Sequence, residues 1–266
     1  MDLIDIGINL THESYRDDIG EVLARAAAAG VGQMIVTGAT VPASEQALAL
    51  AHAHPGRLWC TAGVHPHHAS EVHDSTIGTL RQLLAQPAVV AAGECGLDYY
   101  RNYSPYADQR RAFDQQLQLS LDCGKPAFLH QRDAHRDFLA ALVAHPGVRG
   151  VAHCFTGGQD ELEAYLALGL HIGITGWICD ERRGAHLHDL VARIPRGRLL
   201  LETDGPYLLP RDLVPKPANR RNEPVHLAHI CRVVARLRGE TPQDCAAHTS
   251  AAARALFRIA PAAAGG

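Results

Sequence analysis

Apolar and polar residues alternate from the start of the chain. Ile4, Ile6, Ile8 and Leu10 interleave with Asp5, Gly7 and Asn9, the period of two that marks a strand with one apolar face. The other face carries a carboxylate, a bare backbone and a carboxamide where a core would place leucines. Residues 17–30, D-D-I-G-E-V-L-A-R-A-A-A-A-G, then space their apolar positions as an amphipathic helix does, with Gly30 placed to end it. Short apolar runs predict further strands over 33–37, 58–63, 89–93, 126–130, 150–153, 171–175 and 198–202. Stretches of helical period predict helices over 44–54, 76–85, 106–123, 134–144, 159–168, 185–193, 224–238 and 242–257.

Eight strands alternating with helices along about 200 residues match an α/β fold of the TIM type, a (β/α)8 barrel. No shift in composition interrupts the pattern, so one domain is expected over residues 1–260, followed by a disordered tail at 261–266. The longest stretch without periodicity runs from Gly205 to Pro224, after the eighth strand, and loops of that length inside compact domains are commonly functional.

Charge and cysteine usage narrow the function classes. A net charge of −3 with 17 histidines gives no overall basic field, which argues against a passive nucleic-acid coat and leaves phosphate binding to local basic loops. The seven cysteines include no C-x-x-C pair, the usage of reduced thiols, so a cytosolic protein is expected. Asp2 stands where a signal peptide carries basic residues, and no apolar run approaches the roughly 18 residues that cross a bilayer. No membrane partner is expected.

Strands buried inside a barrel should be almost wholly apolar, so their polar exceptions carry information. Glu94 follows V-V-A-A-G, His130 closes P-A-F-L-H, His153 closes G-V-A-H and Asp204 follows L-L-L-E-T. The third strand leads into G-V-H-P-H with His65 and His67. One histidine at a strand end is more often a hydrogen-bonded structural residue, but four such coincidences fall at the rim where barrel active sites are built. Two carboxylates and two imidazoles meeting there either pair with one another or hold a cation between them. Mixed nitrogen and oxygen ligation suits Zn²⁺, Mn²⁺ and other divalent ions. Cys95 and Cys154 directly follow two of these residues, point the other way on an extended chain and read as packing residues.

The motifs G-E-C-G-L-D (93–98), F-L-H-Q-R-D-A-H (128–135), A-H-C-F-T-G (152–157), E-T-D-G-P-Y-L-L-P (202–210) and R-N-E-P (221–224) resemble those of the TatD family of metal-dependent deoxyribonucleases. The opening D-I-G-I-N-L-T and D-E-R-R-G (180–184) point to the branch that gives the family its name. The likeness covers nearly the whole chain, in order. It implies a TIM-barrel hydrolase of the amidohydrolase-like kind, cytosolic, that degrades single-stranded DNA, and RNA with it, from the 3′ end with a divalent cation, Mg²⁺ in particular, in DNA repair or RNA turnover. Glu94, His130 and His153 then correspond to metal ligands, and Asp204 to the acidic residue that binds metal and takes the proton of the attacking water. Glu94 and Asp204 are the catalytic pair.

The chain departs from the family on its first strand. Most relatives read D-x-H-x-H there, whereas this sequence has Gly7 and Asn9 in place of the two imidazoles. One metal position should then be empty or weak, and this face of the strand opened for a substrate group, with Asn9 among the substrate contacts. His65, His67, Arg132 and Arg221 are the other expected substrate contacts. Arg211, Lys216, Arg220 and Arg221 form a local basic excess for phosphates, with Arg182 and Arg183 adding to it. Tyr99, Tyr100 and Tyr103 are placed to stack on a terminal base. A monomer acting on 3′ ends is expected. Two other readings stay open: a hydrolase of the same barrel acting on another bond, such as an aminoacyl-tRNA ester or an amide, and a binding protein that kept the fold without turnover.

Overall fold

The computed structural model describes residues 1–261. Most of the expected tail over 261–266 lies outside the described residues. Eight strands, β1 (Leu3–Ile8), β2 (Val31–Val36), β3 (Leu58–Ala62), β4 (Val89–Asp98), β5 (Ala127–Arg132), β6 (Gly150–Ala152), β7 (His171–Ile174) and β8 (Leu199–Leu201), pair in parallel in the order of the chain. Helices α1 (Ile19–Ala28), α2 (Val41–Ala53), α3 (Asp74–Leu84), α4 (Tyr106–Cys123), α5 (His135–Ala144), α6 (Gln159–Ala167), α7 (Leu187–Val191) and α8 (Leu227–Arg238) follow the strands in turn, and α9 (Pro242–Phe257) ends the succession. The strands are buried along most of their length, as a parallel sheet wrapped in helices requires, and β5 opens only over residues 130–132. The TIM-type barrel expected from periodicity is the observed fold.

Two elements differ from expectation in ways that matter. β4 runs five residues past Gly93, and because successive side chains alternate, Glu94 and Asp98 share a face at the strand's C-terminal end. α7 shrinks to five residues, because residues 180–184 close a turn in which Gly184 N–H donates to the Asp180 carbonyl at 2.7 Å.

β1 is buried on both faces. Leu3 and Ile8 join the large cluster beneath the helices, and Ile4 and Ile6 join a second cluster with Ile35, Val90, Phe128, Val151 and Leu200. Ala253, Leu256 and Phe257 of α9 complete that second cluster and plug the barrel at the end opposite the strand C-termini. The register of β1 on β2 slips between Asp5 and Ile8, so its alternation is broken there.

β8 continues onto β1 to close the barrel. Asp204 N–H donates to Gly7 C=O at 2.8 Å and Asn9 N–H to Gly205 C=O at 2.9 Å. Asp5 belongs to this seam. Its fully buried carboxylate accepts Thr203 N–H at 3.0 Å and Thr203 Oγ1–H at 2.5 Å, standing in for a backbone acceptor. Asp5 is thus a closure residue of the barrel.

At the other end of the barrel, His171 opens β7 with 9% exposure, and its Nδ1 has no hydrogen-bond partner. Burial, aided by the charge of Arg198, lowers its imidazole from 6.5 to about 4. The unfolded chain therefore takes up this proton first as pH falls. The stability it contributes is present above pH 6.5 and lost as pH falls toward about 4. Urea unfolding across that window is expected to show a shallower acid decline for His171→Gln, which cannot take up the proton, than for the wild type.

Candidate active site

The C-terminal ends of the strands open into a cavity of about 590 Å³. Asn9, His65, His67, Glu94, His130, Arg132, His153 and Asp204 all line it. Residues spread over nearly two hundred positions are gathered because parallel strands deliver their C-terminal ends to one rim.

Glu94 is the hub. Its Oε1 lies 3.0 Å from Nδ1 of His130, 3.1 Å from Nε2 of His153 and 3.4 Å from Nε2 of His65. Asp98, its neighbour on the same face of β4, holds His67 Nε2 at 2.9 Å and His130 Nε2 at 3.3 Å. Asp204 accepts a hydrogen bond from the Asn9 side-chain amide at 3.1 Å.

The electrostatics follow from burial against pairing. Burial alone would raise the Glu94 carboxyl, but the imidazoles of His65, His153 and His130 hold it well below the usual carboxylate range. Burial would likewise discharge His153, yet Glu202 and Glu94 hold its imidazole well above the usual value. His65 loses that contest, and burial drives it well below the ordinary histidine range, leaving it neutral. Burial pushes Asp204 up to about 7; the repulsion of Glu94 and Glu202 adds to this and the charge of His153 opposes it. A carboxyl so placed can exchange a proton near neutrality.

The donor set suits a cation. His65, Glu94 and His130 present ligating atoms within 4.8 Å of one another, and His153 Nε2 meets the same Glu94 oxygen. Two imidazoles and a carboxylate around one point match the nitrogen and oxygen ligation of borderline divalent metals. His65 meets the same carboxylate at 3.4 Å, whereas its sequence position suggested a substrate contact. Its Nδ1 accepts the His67 N–H at 3.1 Å, which leaves the ring proton on Nε2 facing Glu94. That tautomer makes His65 a donor to the carboxylate.

Glu202, to which no role was given on sequence, is the residue behind His153. It is fully buried, and its Oε2 accepts from His153 Nδ1 at 3.0 Å while Oε1 accepts Cys154 N–H at 2.5 Å. A carboxylate on one ring nitrogen fixes the ring and turns the other nitrogen toward the cavity. Two glycines make its room. A Cβ on Gly7 would stand 2.4 Å from Oε2, and one on Gly173 would stand 2.3 Å from Oε1. This corrects the reading of β1 as a face opened for substrate: Gly7 is bare because a buried carboxylate fills the space a side chain would need. The signal was present in E-T-D, where two acids stand two residues apart at a strand end.

Arg221 is a second correction. It is absent from the cavity wall, and its guanidinium donates to Asp18 at 2.6 and 2.8 Å and to Glu223 at 2.7 Å. It also lies over the Tyr15 ring at 5.0 Å, so it fastens the loop before α8 onto α1. Arg211 faces Asp180 at 3.7 Å, and Lys216 and Arg220 are likewise absent from the wall. The basic wall groups are instead Arg101, Arg132 and Arg183, from the loops after β4 and β7 and the end of β5. Of the three tyrosines, Tyr99 stacks on Tyr106 and bonds Asp137, away from the cavity, whereas Tyr100 lines it. Tyr103 packs edge-on against His67. Cys95 is fully buried, and Cys154 lines the cavity beside Thr175 with its thiol pushed up to about 12 by burial.

A parallel eight-stranded barrel with imidazoles and carboxylates meeting at its C-terminal mouth defines a metal-dependent hydrolase fold. The chain belongs to the family described as TatD related DNase, which matches residues 4–258. Proteins named 3′-5′ ssDNA/RNA exonuclease TatD resemble it over nearly full length. That of Erwinia billingiae is 53% identical over 259 residues, 97% of this chain and 99% of its own. That of Salmonella typhimurium is 50% identical over 261 residues, again 97% and 99%. The crystal structure of a TatD homologue from Escherichia coli K12 superposes with a TM-score of 0.88 at 30% identity, covering 97% of this chain and 99% of that one. A TatD family hydrolase from Entamoeba histolytica gives 0.86 at 26% identity, covering 98% and 99%.

If Gly7 is bare to seat Glu202, Gly7→Ala should disturb both packing and the orientation of His153. Urea unfolding is expected to show a loss of about 1–3 kcal/mol, and calorimetric titration with Mn²⁺ an affinity about 10–100-fold weaker. Gly20→Ala, where a Cβ meets nothing within 4 Å, should show neither; an unchanged Mn²⁺ affinity in Gly7→Ala would uncouple Glu202 from the site.

Proposed function

We propose that this chain is a metal-dependent exonuclease that removes nucleotides from the 3′ end of single-stranded DNA, and of RNA, in the cytosol, serving DNA repair or RNA turnover. The observation that carries this reading is the meeting of His130 and His153 on one oxygen of Glu94, beside Asp204, in a cavity whose rim alternates aromatic rings and guanidinium groups. The names of the full-length relatives support the same substrate. All seven cysteines are free, which fits a reducing compartment, and no helix among the described residues is long and apolar enough to cross a membrane. We propose a monomer as the working unit.

Glu94, His130 and His153 are the residues that would hold the cation, with Asp204 at its open side. A divalent ion there supplies Lewis acidity toward a phosphoryl oxygen and acidifies water. Imidazole donors favour Mn²⁺ over Mg²⁺ for affinity, and both are proposed to support turnover.

The chain's own groups do the rest. Asp204, raised to about 7, accepts the proton of the attacking water, and the Asn9 amide fixes the carboxylate's orientation. His67, held by Asp98 at 2.9 Å, faces the substrate and is placed to give a proton to the leaving oxygen. Glu202, on Nδ1, fixes the ring of His153 so that Nε2 points at Glu94.

Substrate is gripped by a ladder on the wall. The Arg132 guanidinium lies 4.4 Å from the Tyr100 ring and 5.5 Å from Trp177, and Arg183 lies 4.4 Å over Trp177. Tyr100 is 58% exposed, so a ring face is open to a base. Unpaired bases stack on such rings while guanidinium groups meet phosphates, and a duplex, whose bases are already stacked, cannot use them. A cavity of about 590 Å³ is in the range that encloses a small ligand, roughly 300–1,000 Å³, which suits the end of a strand.

Two outcomes test the reading. With a 5′-labelled single-stranded oligonucleotide, products should shorten stepwise from the 3′ end. Chelation should stop release, Mn²⁺ or Mg²⁺ should restore it, and Asp204→Ala should slow it by about 10²–10⁴-fold; undiminished release after exhaustive chelation would refute the proposal. Trp177→Ala should lose stacking worth about 1–3 kcal/mol, seen as a raised KM on single strands with kcat held.

A further inference from the structure

A second group of metal-ligating side chains is assembled outside the cavity from three separated stretches of chain. Cys179 ends the short 3-10 turn Gly176–Cys179 after β7, Asp212 stands in the long loop after β8, and His229 lies in the first turn of α8. Their sulfur, carboxylate oxygen and imidazole nitrogen lie within 4.8 Å of one another. Cys179 is 5% exposed, while Asp212 is open to solvent, so an ion has both a buried anchor and a way in. None of the three lines the cavity.

We propose that Cys179, Asp212 and His229 form a second divalent-metal site of the Zn²⁺ class, which fastens the long loop after β8 to the barrel. The donors are one soft sulfur, one imidazole and one carboxylate, the mixture that selects Zn²⁺ and Co²⁺ over Mg²⁺ and Ca²⁺. Zinc–sulfur and zinc–nitrogen bonds are about 2.3 and 2.0 Å, and ligating atoms within 4.8 Å of one another can share one ion at such distances. On binding, the Cys179 thiol gives its proton to solvent. The 2.7 Å hydrogen bond between His229 Nε2 and Asp212 Oδ1 gives way to one bond from each residue to the ion, the neutral His229 ring carrying its proton on Nδ1 instead of Nε2, and water completes the fourth position.

The buried thiol and its neighbouring carboxylate gain from a cation, against the charge of Arg236, which also reaches Cys179. A thiol buried beside a carboxylate is pushed well above its usual range, by burial first and then by Asp212. A divalent ion between them reverses that penalty, because it binds the thiolate and neutralises the carboxylate. The loop has most to gain from a tie. No regular element lies between Leu201 and Pro224, and a cross-link from its middle to both β7 and α8 removes much of its freedom. Next to Cys179, Asp180 engages Arg183 at 2.9 Å and Arg211 at 3.7 Å, so the tie also steadies the turn that carries a cavity arginine. A third group of similar composition, Glu240, Cys245 and His248, is a poor match, because Arg196 and Arg238 already occupy Glu240 and repel a cation.

The test uses the full chain without a metal-binding tag, titrated with Co²⁺, whose bond to a thiolate gives a charge-transfer band in the near ultraviolet. The band should appear in the wild type, in Glu94→Gln and in Cys154→Ser, and vanish in Cys179→Ser. Asp212→Asn, an exposed substitution that keeps the fold, should weaken Zn²⁺ binding by about 10-fold or more and abolish the rise in Tm that Zn²⁺ gives the Glu94→Gln protein. No band in the wild type, a band that survives Cys179→Ser, or one lost in Cys154→Ser overturns the proposal. Because the readout is spectroscopic, its failure leaves the nuclease reading untouched.

Discussion

A continuous chain of contacts crosses the mouth of the barrel, from Glu202 to His153, from His153 to Glu94, from Glu94 to His130 and from His130 to Asp98. Buried charge of this density is tolerable only when every group has a partner, since an isolated carboxylate or imidazolium in the interior costs several kcal/mol or more. The rest of the structure is arranged to keep those partners in reach. Helices shield the strands, α9 plugs the far end, and the strand C-termini deliver acids and imidazoles to one rim. Two glycines, Gly7 and Gly173, leave room for the carboxylate at the end of the chain.

Closure of the barrel and construction of the site are one problem here. The seam between β8 and β1 is made by Asp5 accepting from Thr203 and by Asp204 N–H donating to Gly7. Glu202, Thr203 and Asp204 are consecutive, so the segment that closes the barrel also supplies the support for His153 and the acid of the site. Asn9, at the other side of the seam, bonds the Asp204 side chain. At position 7 the first strand has no room for an imidazole, because that volume is given to a carboxylate from the last strand.

The wall also shows how charge is divided between anchoring and recognition. Arg221, Arg25, Asp18 and Glu223 form a partly buried network that ties the loop before α8 to α1. Arg132 lies against Tyr100 and Trp177, and Arg183 against Trp177 and Asp180, and both line the cavity. The first set contributes to the fold and the second lines the cavity, a distinction of partners that residue type does not reveal.

The barrel was legible in the chain because periodicity is local: a run of alternating or helically spaced apolar residues reports its own element. Glu94, His130, His153 and Asp204 were legible for a related reason, since a polar residue ending an apolar strand is visible from its neighbours in sequence. What could not be read were relations across the barrel. Gly7 looked like a lost ligand until Glu202, from the opposite end of the chain, was seen to occupy its space. Arg221 looked like a phosphate contact until Asp18 and Glu223 were seen to hold it. Asp98 joined the cluster only when β4 proved longer than its apolar run, and His65 only when its Nε2 was seen to face Glu94. Sequence alone therefore determined which elements form and which chemistry is present; the tertiary structure decided what each group faces, because energies of buried charge depend on distances between residues that only closure of the barrel brings together.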